Sequence, residues 1–142
     1  MKNKTSWVII LAFVVIVSLG ITSPAIGQEK AEKGAQLFSI LTMVVAEDVQ
    51  DRQPVGVAET FPVSTEKVYC FIEATNIEED TEANFVWYHE GKEMRTFTLP
   101  LMEGPRWRTF AYKNLYGLTG NWKVEIKDKT GNSIKSITFK VE

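Results

Sequence analysis

Arg106, Arg108, Phe110 and Tyr112 alternate with Trp107, Thr109 and Ala111 in the run PRWRTFAYK. On an extended strand that spacing puts the four on one face and Trp107 on the other, because successive side chains point to opposite sides. Guanidinium forks interleaved with aromatic rings suit two kinds of partner. They can stack on a sugar ring while gripping its carboxylate or phosphate, or they can anchor a protein interface. Tyr88, Lys113 and Tyr116 are placed to extend the row, so the candidate partner-binding face comprises Arg106, Arg108, Phe110, Tyr112, Tyr88 and Tyr116. A plainer reading stands beside it. Trp107 packs inward, and the arginines stay wet or pair with acids of the segment 76–82, NIEEDTE.

Other chemistry is thinly supplied. His89 is the sole histidine and Cys70 the sole cysteine, too few for a zinc site of common type. Cys70 lies in VYCFIEA, where a free thiol behaves as a small buried hydrophobe, and without a second cysteine no intrachain disulfide forms. Glu78, Glu79, Asp80 and Glu82 offer oxygens to calcium but lack the alternate spacing and inner glycine of a dedicated loop. Neither a glycine-rich phosphate loop nor a G-x-S-x-G elbow occurs. A convergent carboxylate pair for glycoside hydrolysis is the enzymatic alternative left open. The expectation is a non-enzymatic chain with no catalytic residue, no cofactor and no metal.

Charge leaves a binding role open, and an acidic balance behind an export signal argues against nucleic acid. The net charge over 142 residues is −2, yet acids predominate before residue 91 and bases after it. Either the halves neutralise each other across one fold, or the basic half presents a face to an anionic partner.

The row must sit on a sheet. Alternating or doubly apolar runs occur over 40–49, 67–75, 82–90, 93–101, 106–113 and 121–128, with a last strand carrying Ile137, Phe139 and Val141. Turn residues separate them: DRQPVG at 51–56, His89 to Lys92, Glu103-Gly104-Pro105, Gly117 and Gly120, and DKTGN at 128–132. Ile134 falls out of phase with the last strand, and a bulge near Lys135 reconciles it. Trp122 shares its face with Val124 and Ile126, and Trp87 with Phe85, so both indoles belong in a core. The pattern describes an all-β, antiparallel, seven-stranded immunoglobulin-like β-sandwich over residues 40–142.

Residues 1–27 have the parts of a secretory signal: Lys2 and Lys4, the apolar run WVIILAFVVIVSL, and small residues around Ala25 and Gly27. Cleavage would leave a mature start at Ile26 or Gln28. The apolar run is short against the roughly 20 residues of a membrane span, so an uncleaved anchor is the alternative. Residues 28–39 read as a polar linker. Export to the periplasm or medium follows, with no membrane contact beyond the signal segment.

Taken in order, DRQPVG, VYCF, VWYHEGKE, PRWRTF and GNWKVEIKDKTG resemble a bacterial family known as domain of unknown function 2914. The resemblance runs from about Leu41 to Val141. Relatives carry a histidine two places before the first motif tryptophan, where this chain has Phe85, so no role of that histidine transfers. The family brings no activity with it. The functional expectation therefore rests on the residues: an exported envelope module binding a protein or an anionic glycan, with a small hydrolase or a membrane-tethered assembly protein as alternatives.

Overall fold

The computed structural model describes residues 36–142. The signal or anchor expected over 1–27, and the linker up to residue 35, lie outside the described residues. The domain begins ahead of residue 40. Phe38, the last residue but one of the expected linker, is 1% exposed in the core, and the Leu37 carbonyl accepts from the Glu78 amide.

Among the described residues nine strands form two sheets: β1 (Ser39–Gln50), β2 (Gln53–Val57), β3 (Thr60–Phe61), β4 (Lys67–Ile77), β5 (Thr81–His89), β6 (Lys92–Leu101), β7 (Gly104–Asn114), β8 (Gly120–Lys127) and β9 (Ser133–Val141). One sheet has the order β2-β1-β4-β7 and the other β3-β9-β8-β5-β6. The seven expected strands all form, and the expected count is corrected by β2 and β3. DRQPVG read as a single turn because of its proline and glycine. In the fold Asp51 and Arg52 alone make the turn, with φ of 50° and 59°, the two-residue geometry that matches strand twist. Pro54 is then tolerated because β2 is an edge strand. At two residues β3 is too short to show a period. It pairs with β9 in parallel, so the sandwich is not wholly antiparallel.

The sheets close on an apolar interior. Val45, Cys70, Ile72, Phe85, Trp87, Trp122, Val124 and Ile126 are all at most 1% exposed there. Trp122 stacks on Phe139 with centroids 6.0 Å apart and donates from Nε1 to the Leu118 carbonyl at 3.0 Å. Trp87 meets the same Phe139 edge-on, but its buried Nε1 has no hydrogen-bond partner. Both indoles are core, as their parity requires. Trp107 also points inward and packs half-buried against the core. The irregularity near Lys135 is a bulge at Ile134: Ile126 pairs with Lys135 and Lys127 with Ser133, leaving Ile134 over.

The β8–β9 turn is organised by one carboxylate. Asp128 Oδ1 accepts from the amides of Thr130 and Asn132 and from the Thr130 hydroxyl, at 2.7 to 3.0 Å. Asp128 is 5% exposed. Burial pushes its pKa up, but these hydrogen bonds outweigh burial and leave it lowered.

Candidate functional site

The predicted row is real and lies on the outer face of the first sheet. Pairing of β7 with β4 sets Arg106 beside Thr75, Arg108 beside Glu73, Phe110 beside Phe71 and Tyr112 beside Tyr69. The Tyr69 ring lies 5.8 Å from Phe110 and 5.3 Å from Tyr112, and Lys67 Nζ sits 4.8 Å over Tyr112. Phe110 and Tyr112 are exposed, so the aromatic half of the row faces solvent.

The arginine half is partly spoken for. Arg106 Nε meets Glu73 Oε1 and Arg108 Nε meets Glu73 Oε2, both at 2.9 Å. One carboxylate, 7% exposed, thus holds two guanidiniums by one oxygen each. The sequence placed the acids of this pairing in segment 76–82. The register overrules that, because Glu73 stands directly across from Arg108, while Asp80 accepts from the Glu103 amide and Glu79 pairs with Lys129.

A third guanidinium joins them. Arg52, from the β1–β2 turn, lines a cleft of about 350 Å³ with Phe71, Arg106, Trp107, Arg108, Thr109 and Phe110. Arg52 is exposed and has no ion pair among the described residues. Three guanidiniums with one adjoining carboxylate leave this cleft cationic, with aromatic rings at its wall and rim. Forked donors beside ring faces are the equipment for an anion carried on a ring or chain.

A second cleft, of about 380 Å³, opens where β6 and β7 form neighbouring edges of the two sheets. Arg95 pairs with Trp87 and Lys113 with Val68, so both cations occupy core-facing positions on edge strands. Tyr112 and Tyr116 line this cleft. Lys113 is 7% exposed, donates from Nζ to the Asn114 carbonyl at 2.7 Å and lies 4.9 Å from the Tyr116 ring. Burial lowers its pKa, opposed by Tyr116 and reinforced by Arg95.

Tyr88 is not part of either cleft. It lies on the second sheet at the parity opposite to core-facing Phe85 and Trp87, which turns it to that sheet's outer face. There its hydroxyl donates to Glu125 at 3.2 Å, and Lys123 Nζ sits 4.5 Å over its ring. The candidate set is therefore split: Arg106, Arg108, Phe110 and Tyr112 together, Tyr116 joined to Tyr112 through the edge cleft, and Tyr88 apart.

His89 and Cys70 are also apart. His89 Nε2 is 2.7 Å from the Thr119 carbonyl, with its ring 4.6 Å from that of Trp122. Cys70 is fully buried, and burial pushes its thiol pKa far up. Among the described residues no three of His, Cys, Asp and Glu gather as a metal ion would require.

Sequence reasoning missed Arg52, Phe71, Glu73 and Arg95. Tyr69, Phe71 and Glu73 do alternate with Val68, Cys70 and Ile72, which marks them as an outward row. Which strand they stand beside is a matter of pairing that no local spacing states.

No curated protein matches the chain. Among solved structures, a selenomethionine-labelled β-glucosidase from Kluyveromyces marxianus is similar at 11% identity and a TM-score of 0.46, over 82% of this chain and 17% of that one. The chain spans under a fifth of that protein's length, and so slight a likeness says nothing of activity. DRQPVG and VYCF fall outside the family match. Residues 80–141, which carry VWYHEGKE, PRWRTF and GNWKVEIKDKTG, match the family model described as "Protein of unknown function (DUF2914)", the family that these motifs resemble.

Proposed function

We propose that the chain is an exported, non-enzymatic module of the cell envelope, periplasmic or secreted, that binds an anionic glycan on the outer face of its first sheet. The observation that carries the reading is Arg52. It brings a guanidinium with no ion pair among the described residues to the cleft where Arg106 and Arg108 already meet Phe71 and Phe110. The exposed rings of Phe110 and Tyr112 continue the cleft as stacking surfaces, which favours a sugar over a featureless anion. A protein partner presenting acids is the other occupant such a face accepts. A glycoside hydrolase needs two carboxylates facing one cleft. Neither the arginine cleft nor the edge cleft has a carboxylate among its lining residues, and a larger cleft of about 780 Å³ beside Tyr88 has a single one, Glu59, short of the pair that hydrolysis needs.

The connectivity supports the immunoglobulin-like variety of sandwich. Setting β2 and β3 aside, the first, second and fifth strands share one sheet, and the third, fourth, sixth and seventh share the other. The buried Trp87 lies on the third of these, where that architecture places its core tryptophan. Export rests on the lysine-flanked apolar run before residue 28. Intact mass of the protein from its native host separates a cleaved leader from a membrane-tethered assembly role.

The binding test uses oligogalacturonate and its neutral methyl ester with the full-length chain. The acid is expected to bind at least ten times more tightly than the ester, more weakly as salt rises, and at least ten times more weakly to Arg52→Ala. Equal affinity for acid and ester, or an Arg52→Ala variant that binds as the parent does, overturns the glycan reading. Binding of an acidic envelope protein lost in the same variant would replace it with the protein reading.

A further inference from the structure

The edge cleft between β6 and β7 is built differently from the arginine face and asks for a different ligand. Its floor is apolar: Phe97 and Leu99 of β6 and Ala111 of β7 all pack against or belong to the core. Its charges are Lys113 and Arg95 alone, and no carboxylate lines it. Neither cation has an ion pair among the described residues. Lysine is almost never fully buried unless paired, yet Lys113 is 7% exposed and commits one of its three donors, to the Asn114 carbonyl, with the Tyr116 and Trp122 rings at 4.9 and 6.0 Å as partial compensation. A buried ammonium without a counter-charge is unfavourable unless something else answers it. Arg95 rests over the Phe97 ring at 4.9 Å, leaving its forked donors free.

We propose that this cleft binds a small amphipathic carboxylate, an acyl or aryl acid whose carboxylate sits between Lys113 and Arg95 and whose apolar body lies on Phe97 and Leu99. The volume of about 380 Å³ falls at the small end of the range for ligand pockets. It suits one short chain or ring. Tyr116, 75% exposed, stands beside the lysine as a wall the ligand can close against. The purely architectural alternative is that inward-pointing cations keep two edge strands from pairing with other chains. That role needs charge on the edges but predicts no saturable site.

Octanoate, kept below its micelle-forming concentration, tests the proposal against octanol of the same chain length. Amide NMR titration of the full-length chain is expected to show saturable shifts confined to Arg95, Phe97 and the 111–114 segment. Octanol should bind at least ten times more weakly. Lys113→Met, which keeps the apolar stem, should fold as well as the parent or better and weaken octanoate at least tenfold. Arg106→Ala should leave octanoate binding unchanged, which separates this site from the arginine face. Equal binding of octanol, unaltered affinity in Lys113→Met, shifts mapping elsewhere, or no saturation overturns the proposal. Self-association of Lys113→Met without any octanoate site would assign the cations to edge protection instead.

Discussion

Arg108 and Glu73 are register partners across β7 and β4, with the arginine Nε 2.9 Å from the carboxylate Oε2. The pairing gives the exposed row a structural duty besides any ligand. Glu73 is 7% exposed, and among the described residues only Arg106 and Arg108 pair with it. Replacing both arginines with alanine removes both charged partners of this carboxylate together with the side chains that cover it on the outer face. The double variant is expected to lose about 1–2 kcal/mol in urea melts, the scale of charge-assisted hydrogen bonds at a part-exposed site, and adding Glu73→Leu should restore at least half of it. A loss under about 0.5 kcal/mol would mean the pairs behave as ordinary surface bridges.

The two core tryptophans give a paired test. Trp122→Ala should cost about 3–5 kcal/mol, the range for emptying a large aromatic site. Tryptophan-to-phenylalanine is finer. At 122 it breaks the bond from Nε1 to Leu118 and leaves a carbonyl without its donor, while at 87 it removes a donor that has no partner. Trp122→Phe should therefore be the worse of the two by about 1 kcal/mol. Equal losses on denaturation would show that the Leu118 bond contributes nothing.

Gly120 has φ of 108°, and a Cβ there would overlap the Glu90 carboxylate that accepts from the Asn121 amide. Gly120→Ala is expected to cost about 2 kcal/mol, from the disfavoured backbone and the displaced hydrogen bond. In a Glu90→Ala background the cost should fall by about 1 kcal/mol. Full additivity in the double-mutant cycle would place the whole cost in the backbone.

Acid should weaken the fold through Asp128. Its folded pKa is lowered by the Thr130 and Asn132 hydrogen bonds, which outweigh the opposing effect of burial. The sign is fixed by linkage: the contribution is complete above the unfolded value near pH 4 and fades as pH falls through the lower folded value. Glu125 adds in the same direction, since bonds from Ser133 and Tyr88 and nearby lysines outweigh its burial. Asp128→Asn should be about 1 kcal/mol less stable at pH 7, with the gap closing toward pH 2. A constant gap from pH 7 to 2 would sink this assignment.

Much of the fold was legible because both signals involved are local. Parity placed Trp87, Trp122 and Val124 inward and Arg106, Arg108, Phe110 and Tyr112 outward without knowledge of neighbours. Turn chemistry marked Glu90-Gly91 and Gly131. What local signals cannot carry is pairing. Glu73 reaches Arg108, and Arg52 reaches the same cleft, only because β4 lies between β1 and β7. Tyr88 was grouped with the arginine row for the same reason, since parity says which side a residue faces but not which sheet it belongs to. DRQPVG misled because Pro54 and Gly56 signal a turn equally well when they lie in an edge strand.

The parallel pairing of β3 with β9 sets the order in which the domain can be finished. Thr60 and Phe61 lie beside Lys140 and Val141, and Glu142 bonds to both Phe61 and Val63. The strand that completes the second sheet on this side thus comes from early in the domain, and its partner is the last described to be synthesised. Until β9 is in place, Phe61 and the inner face of β8 lack their covering Phe139 and Val141. Pairings so distant in sequence form slowly, on a scale of about milliseconds to seconds. The seam between β3 and β8 therefore closes only when β9 is laid in, so β9 is the strand whose loss would leave Phe61 and Trp122 uncovered together.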